Sequence, residues 1–115
     1  MLPKIHRLSG PYIPHVLKTG RRYRGNRALL IVASAGDLSS DQPFKATVIV
    51  PVRLNKKAVV RNRTKRLFLE ALHRHINSFP PNKLIILMAQ TPLVKEKLGD
   101  ITGEIDQLLR RAGLL

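Results

Sequence analysis

Four histidines and seven carboxylates are the groups in this 115-residue chain that could carry acid–base or metal chemistry, and their spacing gives them little to do together. His73 and His75 are two residues apart, which on a helix turns their side chains about 200° from each other, so they cannot share a metal ion. His6 and His15 have no ligand partners at a useful spacing. Asp37 and Asp41 fall in "AGDLSSDQP", where Gly, Asp, Ser and Pro together make turns and short carboxylates cap the local backbone. Cysteine is absent, which excludes thiolate catalysis, Cys-ligated zinc and disulfides, and fits a reducing cytoplasmic setting. Neither a glycine-rich phosphate loop nor a nucleophile elbow is present. Side-chain catalysis therefore has no candidate, and no metal ligand can be named.

Binding is a different matter. Lys and Arg number 21 against 7 Asp and Glu, giving a net charge of +14 and a pI near 11.4. Such self-repulsion is relieved by a polyanionic partner. Nucleic acid is the expected one: the longest apolar runs, such as residues 84–89, are far too short to span a bilayer. The opening "MLPKIHRLSG" lacks the apolar core of a secretion signal, so the chain is expected to act as written from Met1. The densest charge lies in "KKAVVRNRTKRLFLEALHRH", residues 56–75, with seven cationic side chains and one acid, Glu70. A merely solvated helix face alternates sign to gain pairing four residues apart, whereas here Arg63, Arg66 and Arg74 stand together. Arginine suits phosphate because its planar fork donates two parallel hydrogen bonds.

The elements that would hold these groups can be read from period and punctuation. At about 100° per residue, Val60, Thr64, Leu67, Phe68, Ala71 and Leu72 fall in one arc, and Asn62, Arg63, Arg66, Glu70, His73 and Arg74 in the opposite one. This predicts an amphipathic helix with one buried and one basic side, Arg61 and Lys65 leaning along its flanks, ended by Pro80 and Pro81. "SGPYIPHVLKTG" predicts a short helix with Pro11 at its first position and Gly20 stopping it in a left-handed conformation. "ALLIVAS" reads as a strand covered on both faces, and "FKATVIVPV" alternates, with Phe44, Ala46, Val48 and Val50 on one side. Two antiparallel strands joined by the polar loop are the simplest expectation. "LIILMA" predicts a buried strand. Thr91 as N-cap, Pro92 at the first position, apolar Val94, Leu98, Ile101, Ile105, Leu108 and Ala112, and a stop at Gly113 predict a closing helix. Length and the absence of a linker predict a single domain over 1–115, an α/β sandwich with helices covering a small sheet.

The basic helix resembles the arginine-asparagine-arginine signature of the bacterial ribonuclease P protein component, with Arg61, Asn62, Arg63, Lys65 and Arg66 matching residue for residue. "MLPKIHRL", "LKTGRRYRG" and "LLRRAGLL" agree with that family in order and spacing, so the likeness covers essentially the whole chain. It implies a ribosomal-protein-S5-domain-2-like α/β fold, a mostly antiparallel central sheet with a left-handed βαβ crossover. It also implies a protein that does not itself cleave RNA: ribonuclease P RNA, using Mg2+, removes the 5′ leader of precursor tRNA. By the same resemblance Lys56, Lys57, Arg61, Asn62, Arg63, Lys65, Arg66 and Arg74 would bind the RNA subunit. Tyr12, Ile13, Leu17, Arg21, Arg22, Ile31 and Arg53 would line a cleft for the leader. No membrane and no small-molecule substrate is implied. The family commonly carries aromatic residues on the first helix and adjacent strand, where this chain has Ile13, Leu17 and Ile31, with Tyr12 and Tyr23 out of register. Stacking on an aromatic contributes about 1–3 kcal/mol per base, so charge and apolar contact are expected to hold the leader here. "PVR" (residues 51–53) replaces the family's Ser-Lys-Lys, and Lys56 and Lys57 are placed to restore the charge. Two other classes compete: a structural ribosomal or RNA-chaperone protein using the same basic face, and a DNA-binding module, for which no helix-turn-helix partner or dimer seam is visible.

Overall fold

In the computed structural model, which describes residues 2–34, 43–91 and 98–115, four strands form one sheet: β1 (Arg21–Arg24), β2 (Ala28–Ser34), β3 (Lys45–Ile49) and β4 (Lys83–Ala89). Their spatial order is β1-β2-β4-β3. β1 and β2 are an antiparallel hairpin, β2 is antiparallel to β4, and β3 runs parallel to β4. The expected direct pairing of β2 with β3 is thus not formed, because β4 lies between them. Burial explains the order. Residues 28–31 of β2 and 84–87 of β4 are buried without interruption, which requires cover on both faces and a neighbour on each side. β3 alternates buried with half-buried residues and can therefore serve as an edge. The register sets Ile31 opposite Ile86, and Ala46 and Val48 opposite Ile85 and Leu87.

Parallel neighbours need a crossover, and α2 (Ala58–His73) supplies it between β3 and β4. With α3 (Leu98–Arg111) it covers one face of the sheet. There Phe68, Ala71 and Leu72 of α2 and Ile101, Ile105, Leu108 and Leu109 of α3 pack on Leu30, Ala46, Val48, Ile85 and Leu87. α1 (Ile13–Thr19) covers the other face, with Val16 over Leu29, Ile31, Leu84 and Ile86.

α1 differs in detail from expectation at both ends. Pro11 lies in a 3-10 turn, Gly10–Tyr12, and Pro14 occupies the first turn of α1, where its missing N–H has no intrahelical partner to lose. Gly20 is extended (φ −71°, ψ 147°) and not left-handed. Its glycine is required by space: a Cβ would lie 2.4 Å from Ile31 Cγ2 and 2.5 Å from Val16 O. Gly113 does adopt the left-handed stop, with φ 76°, and the Leu114 N–H donates to Leu109 O at 2.9 Å. The expected start of the closing helix at Pro92, and Val94 with it, lies outside the described residues.

The outer edge of β3 is partly closed by the N-terminal segment. The Leu8 N–H donates to Ala46 O at 3.0 Å, Lys45 Nζ donates to Ile5 O at 3.3 Å, and the His6 ring stacks on Phe44 with centroids 4.2 Å apart. His6 is therefore part of the scaffold. So is His75, whose Nε2 lies 2.7 Å from Asp106 Oδ1 and ties the turn after α2 to α3.

Candidate nucleic-acid interface

α2 is oriented by its apolar side. Phe68, Ala71 and Leu72 are fully buried, and Thr64, equally buried, satisfies its hydroxyl by donating to Val60 O at 2.9 Å. A helix fixed along that stripe must present the opposite one outward, and Asn62, Arg63, Arg66, Glu70, His73 and Arg74 are all exposed there. Lys56 and Lys57, immediately before the helix, are exposed too. Lys65 sits on the flank, over a cleft of about 240 Å³ that Leu2, Arg7, Thr47 and Leu69 also line. Arg61 is the exception among the motif residues. It is half-buried, and its Nη1 donates to Asn55 O at 2.8 Å, while Asn55 Oδ1 accepts the Lys57 N–H at 2.8 Å. Arg61 therefore pins the approach to α2 and holds Lys56 and Lys57 in place.

The second predicted group does not gather as a whole. Ile13 and Leu17 of α1 are half-buried and pack beside Ile49 and Met88 on the sheet, and Tyr12, 46% exposed, precedes them. Arg22 joins them: it pairs opposite Ile31 on the α1 side, and its Nη2 donates to Leu17 O at 3.0 Å. Two residues are corrections. Ile31 is 0% exposed beneath α1, so it supports the helix and cannot touch a ligand. Arg21 pairs with Val32, one residue out of phase with Arg22, and strand alternation sends it to the face away from α1. Arg53 is exposed in the 3-10 turn Val52–Leu54, which places it in the β3–α2 connection with Lys56 and Lys57.

α1 packs on β2 and β4, which leaves Thr47 and Ile49 of β3 and Met88 of β4 half-exposed on the same face. These complete an open, mixed surface beside α1 that sequence reasoning did not assign. The alternation of β3 did separate Thr47 and Ile49 from the buried side, but nothing local said which helix shares their face.

A family model described as ribonuclease P matches residues 2–113. The chain belongs to the ribonuclease P family. Among curated relatives, the ribonuclease P protein component of Rippkaea orientalis is 28% identical over 116 residues, covering 99% of this chain and 91% of that one. That of Acidothermus cellulolyticus is 30% identical over 112 residues, covering 96% and 91%. Among solved structures, a mutant RNase P protein of Staphylococcus aureus superposes with a TM-score of 0.83 at 19% identity, covering 97% of this chain and 92% of that one, which establishes a shared fold. Within the ribonuclease P family, this chain carries aliphatic Ile13 and Leu17 on its open face, with Tyr12 as the one exposed aromatic beside them. Among the described residues, no three His, Asp or Glu side chains come together where a cation would sit.

Proposed function

We propose that this chain acts as the protein component of ribonuclease P. It grips the RNA subunit through the exposed side of α2 and receives the 5′ leader of precursor tRNA on the open face beside α1. Hydrolysis, with its magnesium, belongs to the RNA. The observation that carries this is the division of α2: Phe68, Ala71 and Leu72 lock one side into the core, so that Arg63, Arg66 and Arg74 are held outward as a fixed row in a chain of this family. Such a row does two things. It displaces counterions from phosphates, each contact adding about 0.7–0.9 to the salt dependence of binding, so the six cations Lys56, Lys57, Arg63, Lys65, Arg66 and Arg74 would give a slope of about 4 to 5. It also lowers the repulsion between two RNAs brought side by side. The cytoplasm is the setting proposed with it.

The test is precursor cleavage reconstituted with the RNA subunit over a magnesium series, with and without the protein. The protein is expected to lower the magnesium needed for leader removal and to cleave nothing alone. An unchanged requirement, or hydrolysis by the protein by itself, overturns the proposal.

A further inference from the structure

A second set of arginines lies at the sheet edge farthest from β3, and the α2 row leaves it unexplained. β1 is an edge strand: β2 pairs with one side of it and, among the described residues, no strand pairs with the other. Three of its four residues are exposed arginines, Arg21, Arg22 and Arg24. α3 packs against β1 and β2 while α2 packs against β3, so the last turn of α3 brings exposed Arg110 and Arg111 to the same edge. There the Arg111 Nη1 donates to Arg24 O at 3.0 Å. Three strand spacings, roughly 14 Å, separate this edge from β3.

Two carboxylates, Asp100 and Glu104, line the cleft at this corner with Arg24, Arg27 and Arg111. Glu104 Oε2 accepts the Arg27 N–H at 2.8 Å, and its Oε1 lies 3.7 Å from the Arg27 guanidinium, so Glu104 fixes the β1–β2 turn through Arg27. Among the described residues, none of Arg21, Arg22, Arg24, Arg110 and Arg111 forms an ion pair. The negative end of α3 accounts for Arg110 and Arg111 on their own, and a single charge would blunt an edge strand. Neither accounts for three arginines in four residues beside them. The Arg22 guanidinium turns toward α1, donating to Leu17 O at 3.0 Å, which leaves Arg21 and Arg24 of β1 with Arg110 and Arg111 as the cations of this edge, and an arginine guanidinium can donate a parallel pair of hydrogen bonds to phosphate.

We propose that the β1 edge and the end of α3 form a second site for RNA phosphate backbone, occupied while α2 holds the RNA subunit, so that the chain bridges two RNA segments. Simultaneous occupancy rests on the proposed role of α2. The shared chemistry is backbone phosphate, which a second segment of the RNA subunit or the body of the precursor could supply.

Arg24→Gln/Arg110→Gln removes two of these cations and keeps the Arg111 hydrogen bond. Filter binding across a KCl series would measure the RNA subunit alone in one arm, and precursor added to the assembled RNA subunit–protein complex in the other. The salt slope is expected to fall by about 1.4–1.8 in one arm, and that arm identifies the RNA. Arg63→Gln/Arg66→Gln runs in parallel. Loss with this pair but not with the edge pair overturns the second site and leaves the role of α2 standing; loss with neither overturns both. A second measurement covers a variant that folds poorly. The chain has no cysteine, so Gln107→Cys, exposed in the cleft that Arg24 and Arg111 also line, takes a single iron–EDTA label. Its radicals are expected to cut RNA at positions not cut from the same label at Asn62→Cys. No cleavage from position 107 refutes the proposal.

Discussion

Arg61 and Arg66 stand five residues apart in one basic segment, yet replacing each with alanine should have separate effects. The Arg61 guanidinium is half-buried and donates at 2.8 Å to the Asn55 carbonyl. A hydrogen bond with a charged donor contributes about 1.5–3 kcal/mol, and partial exposure puts this one at the lower end. Arg61→Ala should therefore destabilise the fold by about 1.5 kcal/mol, a fall in Tm of about 4–8 °C for a chain of this length. It also releases the connection that carries Lys56 and Lys57, so RNA affinity should drop by more than the loss of one cation explains. Arg66 is exposed and has no hydrogen bond or ion pair within the described residues. Arg66→Ala should leave stability within about 0.5 kcal/mol and reduce the salt slope by about 0.7–0.9. Thermal melts followed by circular dichroism, beside filter binding over a salt series, read both quantities from the same preparations. If Arg61→Ala melted within about 1 °C of the parent while its slope fell by about one unit, the guanidinium would be facing RNA and the division of roles drawn here would be wrong.

Gly20→Ala should destabilise by about 2–3 kcal/mol or more, because the added methyl meets Ile31 and the Val16 carbonyl, itself the acceptor of the Gly20 N–H; a urea midpoint indistinguishable from the parent's would show that α1 can move aside freely. Ile31→Ala should lose about 2–5 kcal/mol of stability with no selective loss of leader affinity. Tyr12→Ala should do the reverse, weakening binding of leader-bearing precursor by about 1–3 kcal/mol relative to leaderless tRNA at unchanged Tm. Competition binding with the two RNAs distinguishes these outcomes.

Period and punctuation make α2, its two faces and the Gly113 stop legible from residue order, because each depends on residues within a few positions of one another. Pairing depends on residues far apart, and there the local signal ran out. "RRYR" has one apolar side chain, Tyr23, and becomes a strand only because β2 offers it an edge. The pattern of β3 marks a half-buried strand without saying that β4, not β2, lies beside it. Gly20 shows the same limit, since a stop in the left-handed region and a close backbone approach both call for glycine. At the site, helical period put Arg63, Arg66 and Arg74 outward and Arg61 on the flank, where it is half-buried, but gave no sign that its guanidinium reaches back to Asn55. Ile31 could be matched to a family position, but its burial depends on where α1 lies.

β4 is last of the four strands in the sequence and yet pairs with both β2 and β3. A chain that has not reached Lys83 therefore lacks the strand that lies between β2 and β3, and has the N-terminal contacts of Ile5 and Leu8 with Lys45 and Ala46 to link the hairpin to β3. The cationic helix α2 ends at His73, ahead of both β4 and α3 in the chain, and α3 is one of the elements it packs against. The residues from Lys83 onward thus supply the central strand and the helix that unite the earlier elements into one scaffold.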